Sequence, residues 1–103
     1  MKRFAYIGLV VAGALVAAGS AQAGDVEAGK AKFAACQSCH GPTGQGQAIF
    51  PKIAGKPAED TVALLNRYRA GETVGPQTTL MAPQAKLLSD EDIANVAAYI
   101  ATL

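Results

Sequence analysis

Cys36-Gln37-Ser38-Cys39-His40 holds both cysteines and the single histidine of this 103-residue chain. All of its thiol and imidazole chemistry is confined to five consecutive positions. Any fold available to the chain must be organised around that pentapeptide, because little else here can staple a small domain together. A domain of this size buries only a modest share of its surface and is marginal on its own. Such chains commonly need a disulfide, a metal or a cofactor.

The folding part is shorter than the chain. Lys2 and Arg3 precede a nearly unbroken apolar run from Phe4 to Ala18, and Gly19-Ser20 and the small-residue triplet Ala21-Gln22-Ala23 close it. A basic start, an apolar stretch and an A-x-A site form the pattern of a secretory signal peptide. The run is also short for a membrane span, which needs roughly 20 residues. Residues 1–23 therefore read as a leader, with an uncleaved anchor as the alternative, and 24–103 as one domain. The whole chain has nine Lys and Arg against eight Asp and Glu. Losing Lys2 and Arg3 leaves seven against eight, a net charge near −1. Nucleic-acid binding needs a clustered basic face, and none is present. Loss of Met1 with the leader leaves Met81 as the one methionine of the domain.

Three helical stretches are expected, with no convincing strand, so the fold class is all-α. The first spans about Val26 to Cys36, capped by Asp25. Val26, Gly29, Lys30 and Phe33 fall on one side, with Phe33 its large apolar anchor. Residues 41–56 are rich in Gly and Pro and read as a long loop, of the kind that is functional or wraps around something. The second helix starts near Pro57, suited to a first helical position, and runs through Leu64, Leu65 and Tyr68 to a stop at Gly71. Glu59 and Asp60 in its first turn and Arg67 and Arg69 in its last suit the helix dipole. Residues 72–86, with Gly75, Pro76 and Pro83, read as irregular. Ser89 then caps a third helix with Asp90, Glu91 and Asp92 in its first turn and a stripe of Ile93, Val96, Ala97 and Ile100. Tyr99 lies beside that stripe and is placed to meet Phe33.

The C-x-x-C-H run reads as an attachment site for c-type haem. Two thiols three positions apart can reach the two vinyl groups on one haem edge, each forming a thioether. The next residue, His40, can then ligate iron through Nε2 while Nδ1–H seeks a second acceptor. Three other readings fit less well. A thioredoxin-like redox pair wants a βαβ setting. A structural zinc site wants four ligands, and Cys36, Cys39 and His40 are three. A disulfide would close a very small loop, stabilise little, and leave His40 without a role. An export signal also agrees with haem, which bacteria attach after translocation. One histidine leaves a sixth iron position. Met81, in the irregular segment some 40 residues later, is the expected second axial ligand, with a core gap-filler as the plain alternative. His/Met ligation raises the reduction potential and suits electron transfer.

The ordered segments resemble the class I c-type cytochromes, in particular the bacterial c4, c5 and c553 group. The resemblance rests on Gly24-Asp25-Val26-Glu27-Ala28-Gly29-Lys30, the C-x-x-C-H run followed by Gly41, and Phe50-Pro51-Lys52-Ile53-Ala54-Gly55. It continues through Arg67-Tyr68-Arg69-Ala70-Gly71, Met81-Ala82-Pro83, Leu88-Ser89-Asp90-Glu91-Asp92-Ile93 and Ala97-Ala98-Tyr99-Ile100. It implies one covalent haem c, with Pro51 accepting from His40 Nδ1 and Ile53, Leu65 and Tyr68 lining the pocket. It also implies that Gly29 and Phe33 cross the last helix near Ala97 and Tyr99.

These features predict a periplasmic single-electron carrier rather than an enzyme, meeting donor and acceptor proteins in transient complexes, with no nucleic acid and no stable membrane insertion after leader cleavage. Two alternatives keep the same haem. In one, the chain is a haem subunit of a larger oxidoreductase. In the other, Met81 is labile and the iron binds ligands or acts on peroxide. That second alternative lacks another histidine and leaves Arg67, Arg69 or an acid as the distal group.

Overall fold

The computed structural model describes residues 24–103, so the expected leader at residues 1–23 lies outside the described residues. Four helices follow one another: α1 (Val26–His40), α2 (Ala58–Arg69), α3 (Thr78–Lys86) and α4 (Asp90–Ile100). The only β pairing among the described residues is an isolated bridge between Gln47 and Phe50. The all-α expectation holds, with one helix more than the sequence suggested.

α1 packs across α4, and α2 packs against both α3 and α4. Asp25 caps α1, its carboxylate accepting from the amides of Glu27 and Ala28. The helix runs four residues past Cys36. Nothing in Gln37-Ser38-Cys39-His40 breaks a helix, and the first residue that does is Gly41, at φ 94°. Of the expected apolar side only Gly29 and Phe33 are buried, and Val26 is exposed. Gly29 is required by close approach: a Cβ there would overlap the backbone carbonyl of Asn95. The Phe33 and Tyr99 rings meet edge to face, with centroids 5.3 Å apart, a favoured arrangement for aromatic pairs.

Pro57 is the N-cap of α2 rather than its first helical residue. At the other end Gly71, at φ 85°, allows a Schellman turn. Its amide donates to the Tyr68 carbonyl at 3.0 Å, and that of Glu72 to Arg67 at 3.1 Å, the 5→2 and 6→1 bonds of that motif. α4 begins with a full capping box, in which Ser89 Oγ accepts from the Asp92 amide and the Asp92 carboxylate accepts from the Ser89 amide. Its predicted stripe, Ile93, Val96, Ala97 and Ile100, is buried. With Phe33, Leu65 and Ala85, three of these four, Ile93, Val96 and Ile100, make the core cluster.

The segment 72–86, expected to be irregular, contains α3. Pro83 lies inside it. A proline at that depth removes a helical hydrogen bond and ordinarily signals a break. Here the turn before the helix is knitted by Thr78, whose Oγ accepts from the Val74 and Gly75 amides and donates to the Gly75 carbonyl. Ala85 is fully buried in the core. Tertiary burial and a prepared first turn together overcome the proline.

Candidate haem site

The pentapeptide occupies the last turns of α1. Cys36, Cys39 and His40 stand at i, i+3 and i+4, so the helix puts all three on one face. Cys36 and Cys39 form no disulfide, and both are half-buried. Burial holds the Cys36 thiol above its ordinary value, and the neighbouring Cys39 adds to the shift.

The loop after Gly41 folds back beneath this helix end. The Gly46 amide donates to the His40 carbonyl at 2.7 Å, and the side-chain amide of Gln47 donates to the Ser38 carbonyl at 3.1 Å. The amides of Ile53 and Ala54 both donate to the Gly44 carbonyl. A Cβ at Gly46, φ 86°, would run into the backbone of Lys52, so glycine is needed where the two arms of the loop close. This folding brings the Pro51 carbonyl to 2.8 Å from His40 Nδ1. A carbonyl can only accept, so Nδ1 carries the hydrogen. The neutral imidazole then keeps its lone pair on Nε2, the atom free to bind a metal. Phe50 flanks the imidazole edge to face at 6.3 Å.

The remaining expected residues are distributed as follows. Ile53, Tyr68 and Met81 are half-buried and pack against the core cluster, as do Cys36, Leu88 and Leu103. Leu65 lies within the cluster itself. Met81 sits on α3 rather than in a loop, and Ala85 and Leu88 follow it at four and seven residues. Met81 and Ala85 share one helical face, and Ala85 turns it toward the core, while Leu88 packs on the same cluster from just past the end of the helix. The sequence reading missed Leu88 and Leu103 as apolar neighbours of this region. Leu88 lies past the end of α3, so helical spacing gave no signal for it.

This donor set suits a haem. It offers two thiols on the face of one imidazole, a tautomer fixed with Nε2 available, one thioether, and a border of half-buried apolar side chains. Among the described residues no three His, Cys, Asp or Glu side chains gather at a point where a metal ion alone could be held, which disfavours the zinc alternative. A haem brings four nitrogen ligands of its own, so it asks far less of the protein.

The cytochrome c family profile matches residues 26–103. The chain is 44% identical over 90 residues to cytochrome c-554(547) of Halothiobacillus neapolitanus, covering 79% of this chain and 99% of that one. It is 46% identical over 78 residues to cytochrome c-554(548) of Halomonas halodenitrificans, covering 75% and 94%. Among solved structures, cytochrome c4 of Acidithiobacillus ferrooxidans superposes with a TM-score of 0.71 at 32% identity, over 79% of this chain and 51% of that one. The chain therefore belongs to the cytochrome c family and carries one covalently bound haem c.

Proposed function

We propose that this protein is an exported, periplasmic carrier of single electrons, with Cys36 and Cys39 as the thioether attachments and His40 and Met81 as the axial iron ligands. Bound haem supplies one redox centre that accepts and returns a single electron. The observation that carries the reading is the 2.8 Å contact between His40 Nδ1 and the Pro51 carbonyl. It fixes the ring plane, presents Nε2 and raises the basicity of the imidazole.

The other side chains complete the task. Met81 offers a soft thioether from the core-facing side of α3, a ligand that favours the reduced iron and raises the potential. Ile53, Leu65 and Tyr68 supply apolar walls that keep water away and disfavour extra charge at the metal. Two protein ligands held in both oxidation states keep nuclear rearrangement small, as an electron carrier requires. Near-neutral charge on the mature domain gives weak long-range steering, consistent with brief contacts with redox partner proteins. Among the described residues no helix is long and apolar enough to cross a membrane. Gly24 is closely packed, since a Cβ there would overlap the Ala94 carbonyl.

The test is an absorption spectrum of the exported protein, oxidised and then reduced. Sharp low-spin bands on reduction and a weak far-red sulfur-to-iron band on oxidation are expected. Low-spin haem without the far-red band removes Met81 from the scheme. A high-spin spectrum favours the ligand-binding alternative. Sequencing the mature amino terminus checks the leader, with Gly24 expected as the first residue.

A further inference from the structure

We infer that Arg69 is a positioning residue for Met81: its guanidinium locks the far end of the segment carrying the ligand and so sets how readily Met81 leaves iron. The inference rests on the reading of Met81 as an axial ligand.

The chain leaves α2 at Ala70, passes through α3, and returns at Leu88. Arg69 Nη1 donates to the Leu88 carbonyl at 3.2 Å across 19 positions, in a partly buried setting. The side chain at the start of this excursion thus closes its neck. Arg69 Nη2 donates to Asn66 Oδ1 at 2.9 Å, which aims the guanidinium from within its own helix. Nη2 also pairs with the Asp90 carboxylate in the first turn of α4.

Other hydrogen bonds along 73–88 stay inside the segment. The Thr78 hydroxyl bonds Val74 and Gly75, the Leu80 and Met81 amides reach Gln77, and the Leu88 amide reaches Ala85. Among the described residues, the Arg69–Leu88 bond is the hydrogen bond that ties this segment to the rest of the domain. What remains is apolar contact by Met81, Ala85 and Leu88. Leu88 lies two residues past the end of α3, and its amide donates to the carbonyl of Ala85, one turn after Met81, so freeing the Leu88 carbonyl loosens the C-terminal anchor of the helix that presents the thioether.

The three acceptors lie on three different residues. A planar fork with five donors can serve them together, and a lysine ammonium cannot do so with the same geometry. The contacts are also unequal. Asp90 is 90% exposed, and ion pairs of that kind contribute little. The bond to the partly buried Leu88 carbonyl is charge-assisted and the stronger of the two. Control of Met81 therefore follows the carbonyl contact.

The experiment is a titration of the ferric holoprotein with imidazole, which takes the iron position that Met81 vacates. Loss of the far-red band is the readout, and thermal unfolding followed by circular dichroism runs in parallel. Arg69→Gln is expected to raise imidazole affinity about tenfold, the scale set by a hydrogen bond to a charged group. Arg69→Lys, which is the safer variant for folding, is expected to raise it about threefold, and Asp90→Asn to stay within about twofold of wild type. If both Arg69 variants bind imidazole as wild type does while only the melting temperature falls, Arg69 is a general structural contact and the inference is overturned. If Asp90→Asn matches Arg69→Gln, control lies in the ion pair and the carbonyl lock is wrong. If wild-type ferric protein shows no far-red band, the Met81 reading fails first and takes this inference with it.

Discussion

At the scale of single residues, the site is built on backbone carbonyls as much as on side chains. Pro51 acts on His40 through its carbonyl oxygen, and Leu88 is gripped by Arg69 in the same way. Sequence shows which side chain is present and is silent about where a carbonyl points, so Arg69 looked like a simple dipole partner at a helix end. The buried Thr61 hydroxyl is a different case, since it has no hydrogen-bond partner among the described residues. Replacing such a group with a methyl of the same shape removes a desolvation cost without opening a cavity. Thr61→Val should stabilise the holoprotein by about 1 kcal/mol, measured by denaturant unfolding. Equal or lower stability would show that the hydroxyl is satisfied by water.

Among the elements, the contact between α1 and α4 has the least slack. Gly29→Ala places a methyl on the Asn95 backbone carbonyl, and neither helix can yield without separating Phe33 from Tyr99. A loss of about 3 kcal/mol is expected, at the upper end for overpacking, read as a lower denaturation midpoint with the haem still attached. The start of α4 adds a pH-sensitive contribution. The Ser89 backbone amide is the main cause holding the Asp92 carboxyl below its ordinary value, and Lys32 at 3.4 Å adds to it. A carboxylate whose folded pKa is depressed stabilises the fold above its unfolded pKa, and that stability is lost as pH falls through the folded value. The difference in melting temperature between wild type and Asp92→Asn should therefore be constant from about pH 8 to 5 and close below about pH 4. A gap that shows no change with pH at any point of the acid range would mean that the charge of Asp92 contributes nothing. Elements also differed in legibility. α4 was readable because cap, acidic first turn and apolar stripe agree. α3 was not: Pro83 argued for a break, and Leu80 and Leu87 are exposed while Met81, Ala85 and Leu88 turn inward. Apolar residues on both sides erase the periodicity that marks an amphipathic helix.

For the whole molecule, the core cluster of Phe33, Leu65, Ala85, Ile93, Val96 and Ile100 is small, and the partly buried apolar side chains packed around it remain incompletely covered by protein. A Cys36→Ala, Cys39→Ala double variant should lose most of its helical circular dichroism and its cooperative melt, since the remaining core falls short of what a chain of this size needs. A fully helical, cooperative apo form would refute that. The amino-acid sequence determined by itself the haem attachment motif, the all-α class and the capped ends of α1 and α4. These depend on residue type at short spacing, and covalent geometry and local hydrogen bonding carry that information. Only the tertiary structure decided that 78–86 is helical, that Met81 shares a face with Ala85, and that Arg69 closes the neck of that segment. Each of these depends on contacts between residues far apart in the chain, where burial of Ala85 and a carbonyl 19 positions away outweigh local propensity.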